Sequence, residues 1–499
     1  MAKLNKSWDD FSLNAAIGTS ITDTRTSALR LDSKTASLYY PNVFTIANIN
    51  MSSSAYIEEL DDARRQMQSF FAMAQLGYKE SLYLDVTARN DWSSTLAFTE
   101  RKSRGFFYPS VGLSWIIPKS FSMPSLISFG KVRASWSKVG NDIPLFVSNT
   151  VGHIAAGGIP QPNDTAPFGT LKPEMSSSFE IGTEWKFFDY RMDVDLTFYK
   201  TNTKEQLFSL PSSAGAAYKY YFVNAGNIQN MGVELTLGAV PILTNQFKWN
   251  TTLNFSRNKN EVKKLHDDLA SFIQGNEGFS SSYAMRLVEG GSFGDIYGKA
   301  FERDKYGAIV YGRDGLPQEI GSGNTVKVGN CNPAFLLGWG NSFTYKDFSY
   351  YFLIDGHFGG EVLAQTQAVL DQIGVSKVSG EARTMGYVDL EGHHIYNIKG
   401  FYEQVGGRNG VTEYYMYNAT NIRLRELSLG YTLPKRLLGR KQFVKKAELS
   451  FVARNLFFIY KKAPFDPDAI LSVSNSNQGI DIFGIPTTRS VGFNVKLSF

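Results

Sequence analysis

A single cysteine, Cys331, stands in 499 residues, which excludes an internal disulfide and any cysteine-based metal cluster. It reads as a structural thiol in a loop. Histidine is scarce too, five in all, and His393 and His394 are adjacent rather than four apart on a helix, so the spacing of a zinc helix is missing. Nothing approaches the ~20 consecutive apolar residues that a spanning helix needs. Charge of one sign is also lacking: 51 basic against 46 acidic residues leave +5, too mild a surplus for a nucleic-acid partner, and no Lys/Arg cluster interleaves with aromatics. Gly321-Ser322-Gly323 has neither the Lys nor the helix of a phosphate loop. No Ser, His and Asp set stands out, and Asp193 and Asp195, two apart beside Arg191, read as a charge ladder on a wet face rather than as paired catalytic carboxylates. The chain is therefore read as a non-enzyme without cofactor or metal. Met1 to Trp8 is polar and has no charged segment followed by an apolar one, so no secretory signal is present and the natural start is expected upstream, or the chain to be a piece of a longer gene.

What the chain has instead is aromatics, 14% of all residues with 26 Tyr, 37 Phe and 7 Trp, and glycine, 45 against 17 Pro. That balance suits strands and loops better than helices. At the C-terminus Val491, Phe493, Val495, Leu497 and Phe499 alternate with Gly492, Asn494, Lys496 and Ser498. Period two with one greasy and one wet face, ending on an aromatic, is what a closing membrane strand with lipid outside and water inside requires. These five residues are taken as the outer-membrane assembly signal.

The same alternation recurs through the chain. Phe11 to Ile21 opens it; Phe70 to Tyr78 and Leu82 to Ala88 form a hairpin joined at Lys79 and Glu80; Phe179 to Phe187 and Tyr190 to Phe198 are the cleanest pair. Thr22 to Arg65 reads as a long polar connection, Val262 to Ile273 as a short helix, Glu361 to Ile373 as helix-like, and Ile296–Glu302 with Ala308–Arg313 as a weak hairpin. The apolar phase slips between Leu424 and Leu427, which places a β-bulge near Arg425. About sixteen strands result. Their connections alternate short and long from end to end, as periplasmic turns and extracellular loops do. Tyr78, Trp115, Phe187, Phe188, Tyr190, Trp249, Tyr345, Phe348 and Tyr431 sit beside the short turns, where an aromatic girdle belongs. A mean hydropathy of −0.21 fits, because alternation averages a lipid face against a polar one. The fold class is all-β, an antiparallel transmembrane β-barrel in the outer membrane with short periplasmic turns and long extracellular loops.

Several stretches then resemble one family. Arg89-Asn90-Asp91-Trp92-Ser93-Ser94, Tyr108 to Trp115, Val132-Arg133-Ala134-Ser135-Trp136, Gly226-Asn227-Ile228, Leu429 to Pro434, Asn455-Leu456-Phe457 with Asp466-Pro467-Asp468, and Pro486-Thr487-Thr488-Arg489 are, in order and spacing, similar to the SusC/RagA-like TonB-dependent transporters. Gly329-Asn330-Cys331-Asn332-Pro333 departs from the family's Gly-Asn-Pro-Asn-Pro. The resemblance implies that residues 1–499 are the C-terminal part of a barrel of about twenty-two strands, without its N-terminal plug and first strands. It implies uptake of oligosaccharides or oligopeptides beneath a SusD-like surface lipoprotein, energised by TonB through the missing N-terminal region, after insertion by the barrel-assembly machinery; the partners are outer-membrane lipid and a glycan or peptide, and no nucleic acid. A passive porin-like channel and a surface receptor or adhesin without transport stay open. Trp92, Tyr220, Tyr221, Tyr414 and Tyr415, with Tyr218, Phe222 and Tyr417, are the loop aromatics that could stack on sugar rings or pack on peptide side chains; packing between loops or a place in the outer girdle is the alternative.

Overall fold

A computed structural model describes the chain except for residues 33–35, 51–55, 100–104, 156–158, 169, 213–214, 267–268, 276–281, 321–325, 439–442 and 473–476. Fifteen strands follow one another, hydrogen-bonded in chain order: β1 Ala2–Trp8, β2 Phe11–Asp32, β3 Tyr56–Tyr78, β4 Leu82–Ser93, β5 Gly105–Ile116, β6 Ile127–Asn141, β7 Glu174–Phe187, β8 Met192–Pro211, β9 Tyr220–Leu243, β10 Phe247–Lys264, β11 Phe335–Tyr345, β12 Phe348–Phe358, β13 Asn421–Thr432, β14 Lys446–Lys461 and β15 Ser490–Ser498. The expected alternation of short and long connections holds over most of the chain, but 117–126 and 433–445, expected short, are longer than 212–219, expected long. By compactness the chain divides into two units, one of residues 1–121, 132–181 and 200–228, the other of residues 122–131, 182–199 and 229–499.

In the first unit the pairing register sorts side chains as period two demands. Leu76 lies opposite Leu84 and Leu84 opposite Leu113, with Val86 opposite Val111, and these side chains stay exposed. On the other face Gln75 Nε2 donates to Asp85 Oδ1 at 2.8 Å and the Thr87 and Ser110 hydroxyls meet at 2.6 Å. An apolar surface turned outward and a polar one hydrogen-bonded to itself suit lipid on one side and water on the other. The first hairpin continues far beyond what a membrane takes up: β2 runs 22 residues and β3 23, against the ~10 of a tilted spanning strand.

In the second unit one face carries an apolar band dominated by aromatics, with Leu429 between Tyr350 and Phe451. Trp249 lies opposite Phe343 and Phe343 opposite Tyr350, with ring centroids 5.7 and 5.9 Å apart; Phe451 meets Phe493 of the closing strand at 5.6 Å. Two indole N–H groups on this face find partners within it, Trp249 on Asn341 Oδ1 and Trp339 on Thr251 Oγ1, both at 3.0 Å. Val491, Phe493, Val495, Leu497 and Phe499 are all exposed on the last strand.

Six expectations change. Ala2–Trp8 is a strand, paired residue for residue with Phe11–Ile17; its Lys and Asn hide the alternation until a partner strand is present. Thr22–Arg65 is strand at both ends, since β2 and β3 stay paired out to Asp32 and Tyr56. The weak hairpin does not join the large sheet: Asp295–Gly298 belongs to a separate four-stranded sheet and Ala300–Phe301 pairs with Glu319–Ile320. Losing those two strands and gaining Ala2–Trp8 turns sixteen into fifteen. Val262–Ile273 is not helical, because β10 runs to Lys264 and Ser271–Gly275 is again strand; Val262, fully buried, is fixed by sheet and loop hydrogen bonds rather than by local propensity. Glu361–Ile373 begins as the strand Glu361–Ala364 and only then becomes the helix Gln365–Gln372. The hairpin connection at Lys79 and Glu80 also includes Ser81, since Tyr78 pairs with Leu82. The bulge is where it was expected: Ile354 lies opposite Leu424 and Leu353 opposite Glu426, leaving Arg425 unpaired.

Candidate functional site

The long connections of the second unit, residues 265–334, 359–420 and 462–489, fold into one domain with a core of its own. Three helices contribute: α1 Gln365–Gln372, α2 Lys377–Met385 and α3 Ile398–Val405. Ser376 caps α2 by accepting from the Ser379 N–H and Asn397 caps α3 by accepting from the Gly400 N–H, both at 3.0 Å. Phe401, Tyr402 and Val405 turn one face of α3 onto Ala368, Ala382, Met285, Ile296, Leu363 and Ile480, all buried. The third connection is stitched in by a short parallel pairing of Ile480 with Leu363.

Beneath this core lies Asp371, buried on α1 and accepting from the Tyr415 hydroxyl at 3.1 Å and from Gln367 Nε2 at 2.6 Å. Burial pushes its carboxyl above the usual range, against the opposing effect of hydrogen bonds from Ser376, Tyr415 and Gln367. The same burial drives the Tyr415 and Tyr414 phenols far up and the Tyr402 phenol to about 12. Cys331, in its loop, is likewise pushed by burial to about 12, which leaves it an unreactive thiol.

The domain is held to the wall by arginine. Arg423 of β13 is 1% exposed; it donates to Asp466 at 2.9 Å and to Thr487 Oγ1 at 3.1 Å, lies 3.0 Å from Asp468, and stacks 4.1 Å from the Phe458 ring. Thr487 in turn donates to Asp466. Burial pushes the Asp466 carboxyl up, but the hydrogen bonds from Thr487 and from backbone N–H groups, with the Arg423 charge, outweigh it and leave it below its ordinary value. Arg425, freed by the bulge, forks onto Asp355 Oδ2 at 2.8 and 2.6 Å and reaches Asn455 Oδ1 at 3.0 Å. Asp466, Asp468 and Thr487 all come from the connection between β14 and β15, so one buried cation ties that loop to the wall.

Beside this latch a cavity of about 320 Å³ is lined on the polar face by Glu234, Thr236, Asn254, Ser256, Gly338, Asp355 and His357. Oδ1 of Asp355 is buried without a hydrogen-bond partner among the described residues. Its carboxylate, amide, hydroxyl and imidazole groups offer both hydrogen-bond donors and acceptors. Among the described residues no three His, Cys, Asp or Glu side chains converge as metal ligands; His393 and His394 stack instead on Tyr311 and Tyr387, each 4.0 Å away.

The sequence-derived aromatics separate. Tyr415, 1% exposed, and Tyr414 pack in the loop-domain core. For this pair the structure shows the alternative, packing between loops, with Tyr415 buried and Tyr414 half-buried against the same cluster. Trp92 is exposed but stands on the side of β4 that carries Leu84 and Val86, a girdle position. Tyr220 and Tyr221 open β9, both exposed, and as neighbours in a strand they face opposite ways. Phe222 packs against the cluster of Leu96 and Phe106, and Tyr417 meets Phe465 edge-on at 5.6 Å. The latch was missed as a site, although Asp466-Pro467-Asp468 and Pro486-Thr487 were singled out as motifs; nothing in alternation says that a polar-face arginine is buried.

Residues 3–309 match the family described as TonB dependent receptor-like, beta-barrel. The chain belongs to that family. Membership makes its sheet a TonB-dependent receptor β-barrel wall and places it in the outer membrane. Relatives agree: TonB-dependent receptor P3 of Formosa agariphila is 26% identical over 489 residues, covering 90% of this chain and 47% of that one, and TonB-dependent receptor SusC of Bacteroides thetaiotaomicron is 22% identical over 491 residues, covering 89% and 46%. The chain thus spans about half the length of the curated relatives it matches. Among solved structures, the RagAB peptide importer in its closed-closed state has the same fold over the whole chain, with a TM-score of 0.75 at 18% identity and 55% of that chain covered.

Proposed function

We propose that residues 1–499 are the barrel portion of an outer-membrane nutrient transporter that takes up oligosaccharides or oligopeptides. A plug domain, a TonB-contacting segment and a SusD-like surface lipoprotein act with it in this reading. The observation that carries it is the loop domain: long connections that share one core and are pinned by Arg423, a folded platform of the kind that capture of large cargo requires. The polar-face cavity around Asn254, Thr236 and Asp355 supplies donors and acceptors suited to sugar hydroxyls or peptide amides. One structural neighbour is named a peptide importer, which is in keeping with the second cargo class. The test is uptake of fluorescent oligosaccharide and oligopeptide pools by cells with and without the gene, each with and without an uncoupler. Gated transport predicts uptake that needs both the gene and the proton-motive force. Uptake that survives the uncoupler would favour a passive pore, and surface binding without entry would favour an adhesin.

A further inference from the structure

On the outward face of the first unit a cavity of about 560 Å³ opens beside Phe107 and Trp136, with Lys138, Lys172 and Lys204 around its mouth. Phe107 shares its side of β5 with Val111 and Leu113, and Trp136 is more than a third exposed, so the cavity belongs to the lipid-facing surface. Its height follows from the strand: Trp115 sits beside a short turn, and the step from it to Gly105–Phe107 covers about 27–33 Å of strand, or roughly 20–25 Å at the usual tilt. The ~25 Å apolar band ends there. The cavity therefore opens at the outer leaflet's headgroups.

Its charge is one-sided. Lys172 pairs with Glu205 at 3.2 Å, whereas Lys138 and Lys204 face the cavity with no carboxylate partner among the described residues. The rim is also pre-set: Asn224 Oδ1 accepts from the Lys172 N–H at 2.7 Å, and its Nδ2 donates to the carbonyls of Lys172 and Glu205, both at 2.8 Å. The Trp136 indole is tied to Ser177 Oγ at 3.1 Å. Two unpaired ammonium groups above a fixed aromatic shelf, on a face that cargo moving along the polar side never meets, match a lipid whose headgroup carries phosphate.

We propose that this cavity holds the phosphate-bearing headgroup of an outer-leaflet lipid, with Lys138 and Lys204 on the phosphate and the acyl chains lying down the Phe107–Trp136 shelf. The test uses the protein extracted from native outer membranes into a non-ionic detergent, stripped of lipid, with bisphosphorylated lipid A as probe. K138Q/K204Q should weaken retention about thirty-fold, at about five-fold per lysine; K172Q, whose charge Glu205 already shares, should cost less; K138R/K204R should bind as the parent does. Raising the salt concentration should weaken binding by the parent itself, which keeps the test open even where the glutamine variant fails to assemble. Equal retention by parent and glutamine variant, equal retention of dephosphorylated lipid A, or insensitivity to salt would overturn the proposal. Displacement of the lipid by millimolar inorganic phosphate would mean a phosphate site and overturn the lipid assignment.

Discussion

Arg423→Met removes a buried cation while keeping most of its stem. In the parent protein the guanidinium serves Asp466, Asp468 and Thr487 at once, and its side chain is only 2% exposed against 8% for Asp466. Without it the deeply buried Asp466 loses its cation, while Asp468 keeps only Arg425, 3.6 Å away. Breaking a buried pair from one side costs about 3–5 kcal/mol. The cost falls on docking of the loop between β14 and β15, because the strands on either side keep their ladders. A shift of that size raises the open fraction of the loop by two to three orders of magnitude or more. The assay is limited proteolysis of the intact outer-membrane protein, following cleavage after Lys461 or Lys462 under conditions where cutting is slow compared with reclosing. The expected result is a cleavage rate at least a hundred-fold higher with heat-modifiability of the barrel unchanged. Adding D466N and D468N to R423M should recover most of the loss, since the buried charge then disappears. A parent-like cleavage rate for R423M, or no recovery in the triple variant, would refute the latch.

Asp371→Asn tests the loop-domain core. The folded carboxyl titrates above its ordinary value, so its stabilising contribution is present at low pH and fades as pH rises through the folded value; the variant should lose that slope and gain on the parent in melting temperature between pH 4 and pH 8. A difference that stays constant with pH would contradict the assignment. Tyr415→Ala should destabilise the loop domain by about 3–5 kcal/mol, whereas Tyr220→Ala should leave its proteolytic resistance unchanged; similar effects for both would undo the separation of core from surface. Phe499→Ala, which removes the terminal ring and its packing 5.1 Å from Phe443, should lower the yield of heat-modifiable barrel in the membrane, and an unchanged yield counts against the assembly role.

The wall was legible because two solvents write it. Each of Leu76, Leu84 and Leu113 meets lipid while Gln75 and Asp85 meet water, so alternation survives without knowledge of partners, and even the slip at Arg425 shows as a break in phase. Ala2–Trp8 was not legible, because Lys3, Asn5 and Lys6 read as polar chain until Phe11–Ile17 lies alongside. The loop domain was beyond reach for a different reason. Its core joins Met285, Leu363, Phe401 and Ile480 from three separate connections, built of elements too short and irregular to show a period. Tyr415 illustrates the cost: in sequence it is one exposed-looking aromatic in a loop, and only the folding of connection 359–420 back on itself puts Asp371 against its hydroxyl.

The length of the first hairpin has a further meaning. About 22 paired residues reach roughly 70 Å along the strand, while the membrane accounts for about ten of them. The remaining dozen carry the chain some 40 Å along the strand past the lipid. The outer ends of β2 and β3, near Asp32 and Tyr56, therefore stand clear of the lipid, and a change of side chain there meets water rather than membrane.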